Sequence, residues 1–115
     1  MMRISEKDAL KKIVDLLADW LRVSKNEIRK KNPPHNKNVD GYFKVGNYEF
    51  VVEIKAGSNS AQVSAAIQTL IKNPKQSQAP LIPLVVVPFM GDVGRKLCED
   101  SGVSWADLSG NADIF

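Results

Sequence analysis

The stretch that decides the fold lies at residues 39–55 and reads VDGYFKVGNYEFVVEIK. Two runs rich in β-branched and aromatic residues flank Gly46–Asn47, and glycine in the first position of a two-residue loop is typical of a type II′ hairpin turn. Such a turn fixes the register of the two strands. Counting outward from it places Asp40 directly opposite Glu53.

This predicted pairing brings two carboxylates close together. Directly opposed side chains have Cβ atoms roughly 4.5–5.5 Å apart, and like charges at that distance destabilise a sheet. A divalent cation between Asp40 and Glu53 would convert the repulsion into a binding site, because hard cations take oxygen ligands. Lys55 lies two residues after Glu53 and therefore projects from the same face. Two acids and a lysine on one face are the groups that metal-assisted phosphodiester cleavage needs.

Hydrophobic periodicity and capping signals divide the rest of the chain into helices and strands. Helices are predicted at residues 5–22, 25–31, 60–72 and 92–101. Strands are predicted at residues 39–45, 48–55, 81–87, 103–108 and 112–115. The order predicts an α/β fold with a mixed sheet, a hairpin carrying the acidic residues and helices on both faces.

Alternation along residues 48–55 predicts which side chains of the second hairpin strand are buried. Phe50, Val52 and Ile54 are expected to pack on the core. The alternate set is expected to face a cleft or solvent; it comprises Glu49, Val51, Glu53 and Lys55. By contrast, the nearly continuous apolar run at residues 81–87 indicates a strand covered on both faces.

Length and composition fit one domain over residues 1–115, with 43% hydrophobic residues and a formal net charge of +3. The single cysteine, Cys98, is expected to be a small core residue and fits a reducing compartment. No apolar run approaches the ~18 residues that span a membrane, and no signal peptide is recognisable. We therefore expect a soluble cytoplasmic protein. The sequence stops at Phe115 within a strand-like pattern, which suggests a domain taken from a longer protein.

With these residues in view, the chain resembles the PD-(D/E)xK nuclease superfamily. The resemblance is carried by Asp40 at the start of one strand and by Glu53-Ile54-Lys55 at the end of the next, although Val39 stands where the family usually has proline. A second stretch, residues 102–111 with the sequence GVSWADLSGN, resembles restriction-endonuclease-like domains found near abortive-infection antitoxin regulators.

The resemblance implies a restriction-endonuclease-like fold and a DNA endonuclease that uses Mg²⁺ or Mn²⁺. Asp40, Glu53 and the backbone carbonyl of Ile54 would hold the ion, and Lys55 would orient or deprotonate the attacking water. Gln68 would assist by hydrogen bonding to the lysine, the water or the phosphate, with Gln62 as the alternative.

Each of these residues also has a simpler interpretation. Asp40 could cap a turn at the start of a strand, and Glu53 could pair with Lys55 or Lys44. Glu6 could reach the metal, but a glutamate in the first helical turn more often complements the helix dipole. The Asp107-x-x-Gly-Asn segment is expected to be a structural turn.

Basic residues between positions 22 and 37 predict a nucleic-acid-binding surface. The residues expected to follow the DNA backbone are Arg29, Lys30, Lys31, His35 and Lys37. A homodimer is expected if both strands of a duplex are cut, because duplex cleavage needs two sites. The alternatives are a catalytically inactive nuclease-fold module that binds DNA or has an antitoxin-like regulatory role, and an interaction domain that binds no nucleic acid.

Overall fold

A computed structural model of the chain describes residues 6–30, 39–72 and 81–114. The helices in these ranges are α1 (Glu6–Leu21), α2 (Ser60–Lys72) and α3 (Asp92–Ser101), with a single 3-10 turn at Lys25–Glu27. The strands are β1 (Ile28–Lys30), β2 (Gly41–Val45), β3 (Tyr48–Ile54), β4 (Leu81–Val87), β5 (Ser104–Asp107) and β6 (Ala112–Asp113).

The six described strands form one mixed sheet in which spatial order equals chain order, from β1 to β6. β3, β4 and β5 are parallel to one another, and the other neighbours are antiparallel. Because α2 and α3 are successive crossovers in one direction along the sheet, and such crossovers share one hand, both helices lie on the same face. The opposite face packs against α1. The predicted α/β fold with a mixed sheet and helices on both faces is confirmed.

The sheet separates two apolar clusters, and β3 contributes to both. On one face, Val51 packs with residues of α2 such as Val63 and Ile67, and Cys98 is buried in the same cluster as predicted. Burial raises the pKa of the Cys98 thiol to about 11. On the other face, Phe50 packs with residues of α1. β3 is therefore a central strand covered on both sides.

This double coverage corrects one prediction. Glu49 and Glu53 do not face an open cleft or solvent, because their side chains are only 3% and 7% exposed and Val51 between them is buried as well. The helix that follows β3 packs over this face and encloses it. Lys55, just beyond the end of β3, is half-buried.

The predicted helix at residues 25–31 is also wrong. The capping interaction expected at the start of this helix is present, since the Ser24 amide donates a hydrogen bond to Glu27 Oε2 at 2.7 Å. The turn nevertheless ends after Lys25–Glu27, because Ile28 is buried and pairs with Val45 at the edge of the sheet. A β-branched residue such as Ile28 favours strand over helix when a buried position is available to it at the edge of a sheet.

The hairpin turn forms as predicted. Gly46 has a positive φ of 58° whereas Asn47 does not, which is the pattern of a type II′ turn. Val45 pairs with Tyr48 and Gly41 pairs with Val52, so the predicted register is confirmed along β2 and β3. No helix in the described ranges is long and apolar enough to cross a membrane.

Candidate active site

Asp40 lies immediately before β2 and is tied to the end of β3. Its amide donates to the carbonyl of Val52 at 3.0 Å, and its Oδ2 accepts a hydrogen bond from the amide of Ile54 at 2.7 Å. The paired residues of β2 and β3 end at Gly41 and Val52, and Asp40 donates to the carbonyl of that same Val52, so the placement of Asp40 directly opposite Glu53 stays a prediction. The hydrogen bond to Ile54 therefore anchors the Asp40 carboxylate beside the Glu53-Ile54-Lys55 segment.

The backbone of β3 adds a third oxygen at this place. In an antiparallel pair, the N–H and C=O of one residue point to the same side of the strand. The Ile54 amide points to Asp40, whereas the next amide, that of Lys55, donates to Val86 in β4 at 3.0 Å. The carbonyl of Ile54 is consequently directed to the Asp40 side.

Glu53 and Lys55 share one face of the strand, as alternation predicts. Lys55 Nζ lies 3.7 Å from Glu53 Oε1, and the lysine side chain is about a quarter exposed, at 27%. A buried carboxylate without a compensating charge would be costly, and the lysine provides that charge. The pair lies at the end of β3, where the buried part of the strand meets the surface. The partly exposed ammonium group is therefore accessible to a substrate.

These donors suit a hard divalent cation. Asp40 and Glu53 offer carboxylate oxygens and Ile54 a carbonyl oxygen, and Mg²⁺ is commonly held by one or two carboxylates together with water and substrate phosphate. Among the described residues there is no grouping of three or more His, Cys, Asp or Glu side chains able to hold a metal. The donor set therefore fits an ion that completes its coordination with water or phosphate, and does not fit an all-protein cage.

The two glutamines considered for the auxiliary role lie in different surroundings. Gln68 is exposed on α2, whereas the neighbouring Ile67 is buried, so Gln68 points away from the sheet. Gln62 is half-buried and its amide group packs over Gly57, two residues after Lys55. The structure thus brings Gln62, and not the preferred Gln68, to the loop that follows the lysine. Helical spacing relative to the buried positions of α2 is the signal that would have separated them.

A buried pair on the same face was missed at the level of sequence. The hydroxyl of Tyr42 donates to Glu49 Oε2 at 3.0 Å, and both side chains are buried. Burial and the adjacent carboxylate raise the pKa of Tyr42 to about 12. Tyr42 pairs with Val51, so Glu49 is its diagonal neighbour. The register already predicted would therefore have revealed the pair.

Most of the predicted nucleic-acid-binding residues cannot be placed. Lys31, His35 and Lys37 lie outside the described residues, and so do the side chains of Lys30 and Glu6. Arg29 is exposed on β1 and pairs with Lys44, which is also exposed. Lys44 lies four residues after Asp40, towards the hairpin-turn end of β2.

An open groove in the described structure lies away from the candidate metal-binding residues. It has a volume of about 520 Å³ and is mainly apolar, between the end of α1, the hairpin turn and Ile114. None of the predicted acids or Lys55 lines it. The candidate site is instead at the other end of β3, where the carboxyl ends of the parallel strands meet, which is the usual place for a site in an α/β sheet.

The C-terminal turn proves to be structural, as expected. Asp107 is fully buried, and its carboxylate accepts hydrogen bonds from the amides of Met90, Ser109 and Asn111 at 2.9–3.1 Å. These bonds join the loop after β4 to the turn between β5 and β6. The Asp-x-x-Gly-Asn segment therefore holds the same end of the sheet together from the side opposite the hairpin.

Comparison with solved structures identifies proteins of the same fold. A repair endonuclease from Pyrococcus abyssi matches 93% of this chain with a TM-score of 0.59 and 16% sequence identity. A structure described as an EndoMS–dsDNA complex also matches 93% of the chain, with a TM-score of 0.51 and 11% identity. No protein-family model matches the chain, and no curated protein matches it significantly.

The chain corresponds to about half of each of these neighbours, 48% and 46% of their lengths. At such low identity the likeness establishes the fold alone. The described residues thus form a mixed six-stranded sheet flanked by three helices, in an arrangement also found in endonucleases.

Proposed function

We propose that this chain is a metal-dependent DNA endonuclease that hydrolyses phosphodiester bonds. Two contacts at one end of β3 carry the proposal. Asp40 is hydrogen-bonded to the Ile54 amide at 2.7 Å, and Lys55 lies 3.7 Å from Glu53. The shared fold supports the proposal, since a repair endonuclease and a protein solved with double-stranded DNA have it too.

Each residue has a defined part in the proposed reaction. Asp40, Glu53 and the Ile54 carbonyl would hold Mg²⁺ or Mn²⁺, which when bound polarises the phosphate and lowers the pKa of water. Lys55 would orient the attacking water and offset negative charge that develops on the phosphate. Gln62, packed against the loop after Lys55, would hydrogen-bond the lysine, the water or the phosphate.

Arg29 and Lys44 would contribute to the grip on DNA. Both are exposed, and they pair with each other across β1 and β2. Contacts of this kind go to phosphates, so they fix the position of the DNA without reading its sequence. Binding is expected to weaken steeply with salt. For cutting both strands of a duplex we propose a homodimer, which analytical ultracentrifugation with and without DNA would test.

Plasmid cleavage tests the proposed hydrolysis. We expect cleavage in Mg²⁺ or Mn²⁺, none in EDTA, and a loss of about 100-fold or more in Asp40→Asn, Glu53→Gln and Lys55→Met. Glu49→Gln is the matched control, because Glu49 is a buried acid on the same face of β3 but belongs to the Tyr42 pair. Equal activity in all variants and in EDTA would refute the proposal.

Calorimetric titration with Mn²⁺ tests the ligand assignment without depending on turnover. Wild type and Glu49→Gln are expected to bind the ion, whereas Glu53→Gln is expected to bind it at least about tenfold more weakly, since carboxylates are the preferred ligands. Identical titrations of wild type and Glu53→Gln would show that the ion, if bound, is held elsewhere.

A second candidate is a DNA-binding or regulatory module that retains the nuclease fold without hydrolysis. It is favoured by the fact that the chain's own groups already engage both carboxylates, Asp40 through the Ile54 amide and Glu53 through Lys55. A gel shift that weakens with salt, without cleavage in any metal, would support this candidate and exclude the first.

A further inference from the structure

A solvent-exposed aromatic ring lies at the same end of the sheet as the candidate active site. Phe89 follows β4 and is 57% exposed. Ile54 pairs with Val86, and the Lys55 amide donates to the Val86 carbonyl at 3.0 Å. Phe89 is therefore only three residues beyond the row of the sheet that contains Ile54, which is at most about 10 Å of chain at ~3.3 Å per residue.

Hydrogen bonds on both sides fix the loop that presents Phe89. Its amide donates to Ser58 Oγ at 3.2 Å, in the segment between Lys55 and α2. The next residue, Met90, is buried, and its amide donates to Asp107 Oδ2 at 3.0 Å. The ring is consequently exposed on a constrained backbone, so little conformational entropy would be lost when it contacts a ligand.

We propose that Phe89 stacks on an unpaired nucleobase of single-stranded nucleic acid held at the candidate active site, an inference that rests on the proposed nuclease function. Every base has an aromatic face, so stacking tolerates any sequence. A paired duplex hides those faces between neighbouring bases, whereas a single strand or an open end exposes them. Phe89 therefore makes single-stranded substrates the preferred class, with the scissile phosphate at Asp40 and Glu53.

A protein partner would be the other use of an exposed phenylalanine, and Val93 nearby in α3 is exposed too. The nucleic acid is favoured because Phe89 is hydrogen-bonded through its backbone to the segment that follows Lys55. A ligand that reaches the lysine with its phosphate therefore reaches the ring with the adjoining base.

The test compares binding of a short single-stranded oligonucleotide with binding of the same sequence closed into a blunt hairpin duplex. Fluorescence anisotropy in EDTA and in Ca²⁺ gives the affinities, and a 2-aminopurine base reports stacking. Phe89→Leu keeps an apolar side chain and removes the ring, and Phe89→Trp keeps an aromatic face. Tyr48→Leu is the matched control, because Tyr48 is 53% exposed at the opposite end of β3.

We expect Phe89→Leu to weaken single-strand binding by about 5- to 100-fold, the range for loss of one base–aromatic stack, and duplex binding by less than about twofold. Phe89→Trp and Tyr48→Leu should stay within about threefold of wild type on both probes. Equal losses on the two probes, no loss on either, or the same loss in Tyr48→Leu would overturn the inference.

The outcome separates this inference from the proposed hydrolysis. Plasmid cleavage that needs Asp40 and Glu53, combined with single-strand binding that does not depend on Phe89, would refute only the role of the ring. Single-strand binding that depends on Phe89, without cleavage in any metal, would refute only the hydrolysis.

Discussion

Asp107 and Asp40 both accept hydrogen bonds from backbone amides at the same end of the sheet, yet their surroundings differ. Asp107 is fully buried and binds the amides of Met90, Ser109 and Asn111. Asp40 is half-buried and binds one amide, that of Ile54, among the described residues. An ionised carboxylate has about four acceptor sites. The comparison teaches that Asp107 uses its acceptor sites for hydrogen bonds within the fold, whereas Asp40 retains acceptor sites for a ligand.

The largest expected effect concerns Asp107. Replacing it with alanine leaves three amides without their acceptor, and hydrogen bonds to a charged group are worth about 1.5–3 kcal/mol each. We expect Asp107→Ala to lower the free energy of unfolding by at least ~3 kcal/mol in urea denaturation. A loss below ~1 kcal/mol would contradict the structural role of Asp107, because the buried acid would then contribute little to the stability of the fold.

Asp40→Asn is expected to separate activity from stability. The amide side chain can still accept the hydrogen bond from Ile54, so the free energy of unfolding should fall by only about 1 kcal/mol. Nuclease activity should fall by about 100-fold or more, because the carboxylate charge that would hold the metal is lost. Urea denaturation and plasmid cleavage on the same preparations check this. A stability loss as large as that of Asp107→Ala would place Asp40 in the structural group instead.

Glu49 adds a third acid to the comparison, and its hydrogen-bond donor is a side chain, the hydroxyl of Tyr42. The raised pKa of Tyr42, about 12, means that the folded state favours the neutral phenol. Its contribution to stability is fully present below the unfolded pKa of ~10 and is lost as the pH rises through ~12, at about 1.4 kcal/mol per unit of pKa difference.

We therefore expect wild type to lose up to ~3 kcal/mol of stability between about pH 10 and pH 12 through this group. Tyr42→Phe should lose that part of the pH dependence and should be about 1 kcal/mol less stable at neutral pH, since the Glu49 carboxylate loses a donor. Urea denaturation of both proteins across this range is the measurement. Parallel stability curves for the two proteins would contradict the assignment of the titration to Tyr42.

The smallest effects distinguish the two glutamines of α2. Gln62→Ala is expected to lower cleavage about 10-fold, whereas Gln68→Ala should change neither cleavage nor stability beyond ~0.5 kcal/mol, as for most surface substitutions. The cleavage rates of the two variants and of wild type at saturating Mg²⁺ test this prediction. A larger effect of Gln68→Ala would show that the exposed position, and not the one packed on Gly57, serves the site.

Local signals in the sequence were sufficient to predict the hairpin. The turn at Gly46–Asn47 and the resulting register could be predicted because they depend on residues close together in the chain. That register also predicts Asp40 directly opposite Glu53. The hydrogen bond from the Ile54 amide to the Asp40 carboxylate adds a contact that counting residues alone does not predict.

Non-local packing explains what could not be predicted. Ile28 becomes a strand residue only because Val45 offers it a partner at the sheet edge. Glu49 and Glu53 are buried because α2 covers their face, and alternation within β3 does not reveal that a second layer is present. The auxiliary glutamine could not be chosen by distance in sequence, because its position depends on which side of α2 faces the sheet.

The sequential order of the strands has a consequence for how the molecule assembles. Every described strand pairs with the one next to it along the chain, so each addition to the sheet closes only the segment between two consecutive strands. The hairpin, whose formation takes about 1–10 μs in isolation, is the natural nucleus. We expect the amides of Val45 and Tyr48 to gain protection earliest in pulse-labelling hydrogen exchange during refolding. The segment proposed to perform the chemistry would then also be the one on which the rest of the protein is built.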